Sequence, residues 1–202
     1  MNMDDQPSIP VGHTRPLDTA AIRAVAVRIT RPIVLVGLMG AGKSTIGRRL
    51  AGMLGTEFLD ADDAIEDAAQ MSIAEIFEQF GEDYFRDGER RVIARLIEDC
   101  TRERGGVIAT GGGAFCNAET RALILDEAIA VWIDCDIDTL VERTGRRKTR
   151  PLLLGGDPRE ILARLYRERK DFYAQAPVTV SSRNGPHQDT ALAIIEAVDR
   201  WL

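Results

Sequence analysis

The chain has 202 residues, 45% hydrophobic and 29% charged, with 26 basic against 32 acidic side chains and a formal net charge of −6. That length suits one domain with its own core, and the acidic balance excludes a general nucleic-acid or membrane-surface binder. Three widely spaced cysteines, Cys100, Cys116 and Cys135, fit neither a metal site nor a disulfide framework, and no apolar run reaches the length of a membrane span, so a cytoplasmic protein with free thiols is expected.

Residues 1 to about 16 carry three prolines and no hydrophobic periodicity, which predicts disorder. Asp18 or Thr19 then caps a helix in which Ile22, Val25 and Ile29 recur at helical spacing. This piece either docks on the domain or contacts a partner. Residues 1–30 are therefore an extension ahead of one domain over 31–202. The domain opens with the apolar strand IVLVG, suited to a parallel sheet covered on both faces. A helix from Lys43 to Leu54 and a short strand at Glu57–Asp60 follow. From Asp63 to about Cys100 two or three helices are expected, with one apolar stripe of Ile73, Ile76, Phe77 and Phe80 and another of Val92, Leu96 and Ile97. GVIAT is a third strand, ended by Gly111–Gly113. A helix from Asn117 to about Asp126 leads to a fourth strand, Ile129–Asp134, and a helix from Asp138 to Thr144. Beyond the basic segment GRRKTRPLLLGGDP, Pro158 opens a helix to about Tyr173, Val178–Val180 is the last strand and Thr190–Leu202 the last helix. Strands alternating with helices predict an α/β fold, a doubly wound parallel sheet with helices on both faces.

Gly37-Leu38-Met39-Gly40-Ala41-Gly42-Lys43-Ser44, followed by Thr45, matches the P-loop pattern between a buried strand and a helix. Glycines let backbone N–H groups wrap phosphate oxygens, Lys43 reaches the β- and γ-phosphates, and the Ser44 hydroxyl suits Mg²⁺. Without an N/T-K-x-D motif a GTPase is disfavoured, and the chain is short for a helicase or motor. Asp60 and Asp62 face the same way if the second strand runs through both. One carboxylate would then serve Mg²⁺ through water and the other the attacking hydroxyl. Asp63 with Glu66 resembles a capping box and is assigned to helix capping. Gly111-Gly112-Gly113 is either a permissive turn or a place where backbone approaches a ligand. Arg143, Arg146, Arg147, Lys148 and Arg150 form either a solvated face or a mobile lid over the transferring phosphoryl group.

The segments GLMGAGKST, FLDADDAIE, SIAEIFEQFGEDYFRDGE, VIATGGGA and TRPLL, in this order and at these intervals, resemble the shikimate kinase family from about Ile33 to Leu202. The resemblance implies a three-layer P-loop fold on a five-stranded parallel sheet, with a helical acceptor-binding region and a lid. It implies transfer of the γ-phosphoryl group of ATP to the 3-hydroxyl of shikimate, in the pathway to chorismate and the aromatic amino acids. Mapped by motif, Gly40, Ala41, Gly42, Lys43, Ser44 and Thr45 bind nucleotide, and Ser44 and Asp60 serve Mg²⁺. Asp62, Arg86, Gly111, Gly112, Gly113 and Arg169 bind shikimate; Arg169 rests on its spacing to Tyr173, with Arg164 and Arg167 close by. Arg150 closes on phosphate, Arg143 stacks on adenine, and the loop near Arg183 borders it. Lys43, Asp62 and Arg150 are the expected catalytic set, ATP and shikimate the expected partners, and a monomer the default expectation. A gluconate kinase on the same core, or a regulatory module that has lost catalysis, are the competing readings.

Overall fold

The computed structural model describes residues 17–103, 105–145 and 156–202. The predicted disorder of residues 1–16 and the predicted lid, with Arg146, Arg147, Lys148 and Arg150, lie outside the described residues. In chain order the elements are α1 (Thr19–Arg28), β1 (Ile33–Val36), α2 (Lys43–Leu54), β2 (Phe58–Asp60), α3 (Ala61–Ala69), α4 (Ile73–Arg102), β3 (Val107–Ala109), a 3-10 turn (Ala114–Cys116), α5 (Ala118–Glu127), β4 (Ile129–Cys135), α6 (Ile137–Gly145), α7 (Pro158–Tyr173), β5 (Val178–Ser182) and α8 (His187–Trp201).

The five strands pair in parallel in the order β2-β3-β1-β4-β5. β1 is central and buried at all four residues, and β3 at all three. That is why they are uniformly apolar: each face meets a helix layer rather than water. All carboxyl ends lie along one edge of the sheet, where an open parallel sheet holds its ligands.

Local signals set most helix ends. Asp18 caps α1 by accepting from Ala21 N, Asn117 caps α5 from Glu119 N and Thr120 N, and Asp157 precedes Pro158 at the start of α7. Ser72 and Glu75 make a reciprocal capping box at α4. Within α4, Gly81 (φ 81°, ψ 178°) leaves helical geometry and breaks the rod into two, so the region read as two or three helices contains three. The first apolar stripe holds for Ile73, Ile76 and Phe77, which pack with Ile65 and Phe85 in a small core of their own. Phe80 departs from it: at the break it is 50% exposed and stacks on Tyr84.

Several boundaries shift by one or two residues, β4 to Cys135 and β5 to Ser182 among them, and α8 begins at His187 rather than Thr190; its polar first turn carries no apolar periodicity to mark the start. α1 docks: Val25 and Ile29 are buried in the main core, Arg28 pairs with Asp199, and Arg31 lies 5.5 Å from the Trp201 ring centroid. The cysteines are free thiols, and burial pushes Cys100 and Cys135 up to about 11. No helix among the described residues is long and apolar enough to cross a membrane.

Candidate active site

A cavity of about 670 Å³ runs along the carboxyl edge of the sheet. Its floor is the loop between β1 and α2. Gly37 (φ 134°), Gly40 (φ 85°) and Gly42 (φ 92°) all adopt conformations that L side chains rarely take, which is the physical reason for the glycine pattern. Lys43 is 9% exposed, its ammonium donating to the carbonyls of Gly37 (2.8 Å) and Leu38 (2.9 Å). Gly40, Gly42, Lys43, Ser44 and Thr45 all line the cavity; Ala41 is buried beneath it.

Asp60 and Asp62 also line the cavity, but not as neighbours on one strand face. β2 ends at Asp60 and α3 starts at Ala61. Asp60 itself is the N-cap, its carboxylate accepting from Asp62 N at 3.2 Å. Asp63, assigned above to capping, instead sits in the first turn with an exposed side chain, 3.8 Å from Arg48. Capping went to the residue at the strand's end because only there is the backbone still extended, as an N-cap requires. Burial, reinforced by Asp60, raises the Asp62 carboxyl above its ordinary value, with Lys43 opposing.

The β2–β3 side of the cleft is closed by α4 and the Gly111–Gly113 loop. Arg86 donates to Glu89 at 2.7 Å and to Glu82 at 3.1 Å. The three glycines have a steric reason. A Cβ at Gly111 would lie 2.9 Å from an Asp62 carboxylate oxygen and 3.0 Å from Glu89 Oε1, and one at Gly113 would lie 2.6 Å from Arg86 Nη2. Gly112 faces the P-loop, and its carbonyl accepts from Arg169 Nη1 (3.1 Å) and from the Tyr173 hydroxyl. The R-x-x-x-Y spacing therefore puts both side chains on one carbonyl, and Arg169 rather than Arg164 or Arg167 lines the cavity.

At the other end Arg143 donates to Ala41 O (3.2 Å), Ser182 Oγ (3.1 Å) and Arg183 O (2.8 Å), tying the P-loop to the end of β5. Arg183 contributes that carbonyl; its exposed side chain is not among the cavity-lining groups.

Several lining residues were absent from the expected set, Arg48, Phe85 and Thr110 among them, and two others bear on the chemistry. Glu89 is 1% exposed, and its Oε1 has no hydrogen-bond partner among the described residues. Burial raises its carboxyl above the ordinary range while Arg86 opposes. The signal was available: Phe85, Glu89, Ile93 and Ile97 recur at intervals of four, so one carboxylate interrupts a buried stripe. His187, at the start of α8, is the other.

Among the described residues no group of three or more His, Cys, Asp or Glu side chains is arranged to hold a metal. Ser44 and Asp60 offer hard oxygen donors beside the phosphate cradle, which fits a magnesium ion otherwise held by nucleotide oxygens and water. The arrangement thus joins the glycine-rich loop with Lys43, two arginines, Arg86 and Arg169, and a half-buried Asp62 carboxylate of raised basicity in one cleft.

A family model described as Shikimate kinase matches residues 39–199. The shikimate kinase of Novosphingobium aromaticivorans is 58% identical over 186 residues, 92% of this chain and 96% of that one. That of Rhodopseudomonas palustris is 49% identical over 178 residues, 88% of this chain and 86% of that one. Among solved structures, the shikimate kinase from Acinetobacter baumannii in complex with shikimate aligns with a TM-score of 0.77 at 37% identity, covering 89% of this chain and 96% of that chain.

Proposed function

The chain belongs to the shikimate kinase family, and on that premise we propose that its cleft carries the γ-phosphoryl group of ATP to the 3-hydroxyl of shikimate. The observation that supports this most is the Asp62–Arg86–Glu89 cluster packed against Gly111 and Gly113, with Lys43 close enough to act on the same carboxylate. A phosphate cradle alone suits many enzymes; a fixed cation and a basic carboxylate at its acceptor end suit a hydroxy acid.

In this reading nucleotide lies over Gly40–Thr45, and Lys43 leaves its two loop carbonyls to meet the β- and γ-phosphates. Arg86 and Arg169 hold the shikimate carboxylate through charge-assisted hydrogen bonds. Glu89 fixes the Arg86 guanidinium, so little side-chain entropy is lost when the acceptor binds. Asp62 accepts from the attacking hydroxyl. As that oxygen bonds to the γ-phosphorus and the bond to the β-phosphate oxygen breaks, the proton passes to Asp62, whose raised basicity suits the task. Ser44 and Asp60 would hold Mg²⁺, which supplies charge neutralisation on the phosphate oxygens. Arg143 flanks adenine, beside the backbone of Arg183. Arg150 is assigned to the transferring phosphoryl group by its sequence motif alone. The enzyme acts as a cytoplasmic monomer, on a step toward chorismate.

The test is Arg86. Arg86→Ala would also strand the buried Glu89 carboxylate and cost stability, so Arg86→Lys is the cleaner variant. It keeps the charge but loses the planar fork. KM for shikimate should rise by about 10- to 100-fold, as for one lost charge-assisted bond, with KM for ATP nearly unchanged. Equal weakening of both substrates would contradict the assignment.

A further inference from the structure

The chain has two histidines, and one of them, His187, is among the residues that line the cleft. It stands at the start of α8, directly after Pro186. A Cβ placed on Gly42 would lie 3.6 Å from His187 Cε1 and equally 3.6 Å from Arg143 Nη1. Imidazole and guanidinium therefore flank the last glycine of the phosphate cradle together. The His187 Nδ1 is buried and has no hydrogen-bond partner among the described residues.

Those facts choose a tautomer. A buried N–H without an acceptor loses a hydrogen bond outright, whereas a lone pair there lies in the favourable field of the neighbouring Arg143 cation. Both effects put the proton on the other nitrogen. The neutral ring then presents Nε2–H as a donor from the edge that remains open, since the residue as a whole is only half-buried.

Sheet order decides which part of a ligand that donor meets. The acceptor cluster stands on the β2 and β3 side of the central P-loop strand. β5 and the start of α8 lie on the opposite side, beyond β4. Arg49 to Gln188 (3.1 Å) holds the α8 start against the helix that leaves the P-loop. We infer that His187 is a nucleotide-binding residue, its Nε2–H donating to the nucleoside 5′-phosphate end of ATP and leaving the β- and γ-phosphates to the P-loop. The inference rests on the nucleotide reading of the cleft given above.

The test titrates ADP, inorganic pyrophosphate and shikimate into the full chain and into His187→Phe and His187→Gln. Phenylalanine keeps the ring but has no donor; the glutamine amide nitrogen reaches close to the Nε2 position. His187→Phe should weaken ADP about tenfold, the scale of one hydrogen bond to a charged group. Glutamine should recover most of the loss, and pyrophosphate and shikimate affinities should stay within about twofold in all three proteins. In the wild type, ¹⁵N spectra of the imidazole should show the Nε2–H tautomer, with the Nε2 signal moved by ADP and not by pyrophosphate. A packing role would predict none of these imidazole changes. A wild type that binds no ADP overturns the nucleotide reading and this inference together. A wild type that binds ADP with the imidazole signals unmoved, or a phenylalanine variant that binds it equally well, overturns this inference alone. An equal loss with pyrophosphate overturns the assignment to the nucleoside end.

Discussion

Asp62 carries two opposed energetic demands. Burial makes its ionised form costly, and that same cost makes it a better proton acceptor. A carboxyl whose folded-state value is raised is charged in both folded and unfolded chains at neutral pH, so the folded state bears the penalty. The penalty fades as pH falls through the raised value, where the folded form takes up a proton. Asp62→Asn should therefore lower kcat by about 10²–10⁴ while raising Tm at pH 7, and the Tm advantage should shrink on acidification. Thermal scans at pH 7 and in mild acid, beside turnover assays, check both halves; a variant that is both inactive and less stable at pH 7 would refute the electrostatic account. The sequence pattern identified Asp60 and Asp62 through a strand-face argument that the fold does not obey, since the strand stops at Asp60. Both still reach the cleft because an N-cap and the second residue of the following helix also point to the sheet's carboxyl edge. Glu89 went unread for a different reason. Arg86–Glu89 at i, i+3 in a helix with many acidic and basic residues looks like any surface pair, and only its place on a buried stripe distinguishes it.

At the scale of elements, α1 shows how little periodicity says about what a helix faces. Ile22, Val25 and Ile29 predicted an apolar stripe; the structure buries it in the main core beside α8 rather than leaving it for a partner. Burying a side chain such as Val25 stabilises by roughly 1.5–3 kcal/mol, and in a domain of this size each kcal/mol moves Tm by about 2–4 °C. Removing residues 1–28 should thus lower Tm by roughly 5–10 °C. kcat/KM for both substrates at 25 °C should stay within about twofold, because no residue of α1 lines the cleft. Unchanged Tm with a large loss of activity would assign the segment a role in the site. α4 teaches the complementary lesson. Its stripes were legible, but Gly81 looked like any other glycine, and its positive φ is what splits the rod and turns the Ile76–Phe77 segment over Phe85. At Gly111–Gly113 the run of three was read as a turn or as backbone nearing a ligand; the close neighbours that require glycine are the side chains of Asp62, Glu89 and Arg86. A Gly113→Ala Cβ would meet the Arg86 guanidinium at 2.6 Å, so it should raise KM for shikimate in steady-state assays and leave KM for ATP unaltered.

Across the whole molecule, parallel pairing followed from strands alternating with helices, whereas the order β2-β3-β1-β4-β5 did not. Alternation fixes handedness of each crossover but not which strand lies beside which. That order is what gives the cleft its polarity. Asp60, Asp62 and Gly111–Gly113 follow the strands on one side of the P-loop, and Arg143 and His187 gather at the other, so in the proposed reading phosphoryl donor and acceptor approach from opposite ends. A cleft built this way should discriminate acceptors by the spacing between a carboxylate held by Arg86 and Arg169 and a hydroxyl held by Asp62. The most direct measurement is a coupled ADP-release assay with Mg²⁺-ATP and a panel of hydroxy acids including shikimate, its carboxamide analogue and gluconate. The structure predicts that shikimate drives turnover with kcat/KM at least about 10²-fold above the amide, the scale of a lost charge-assisted hydrogen bond, and that gluconate does not rise above background. Turnover of gluconate equal to that of shikimate, or of the amide equal to that of the acid, would contradict it.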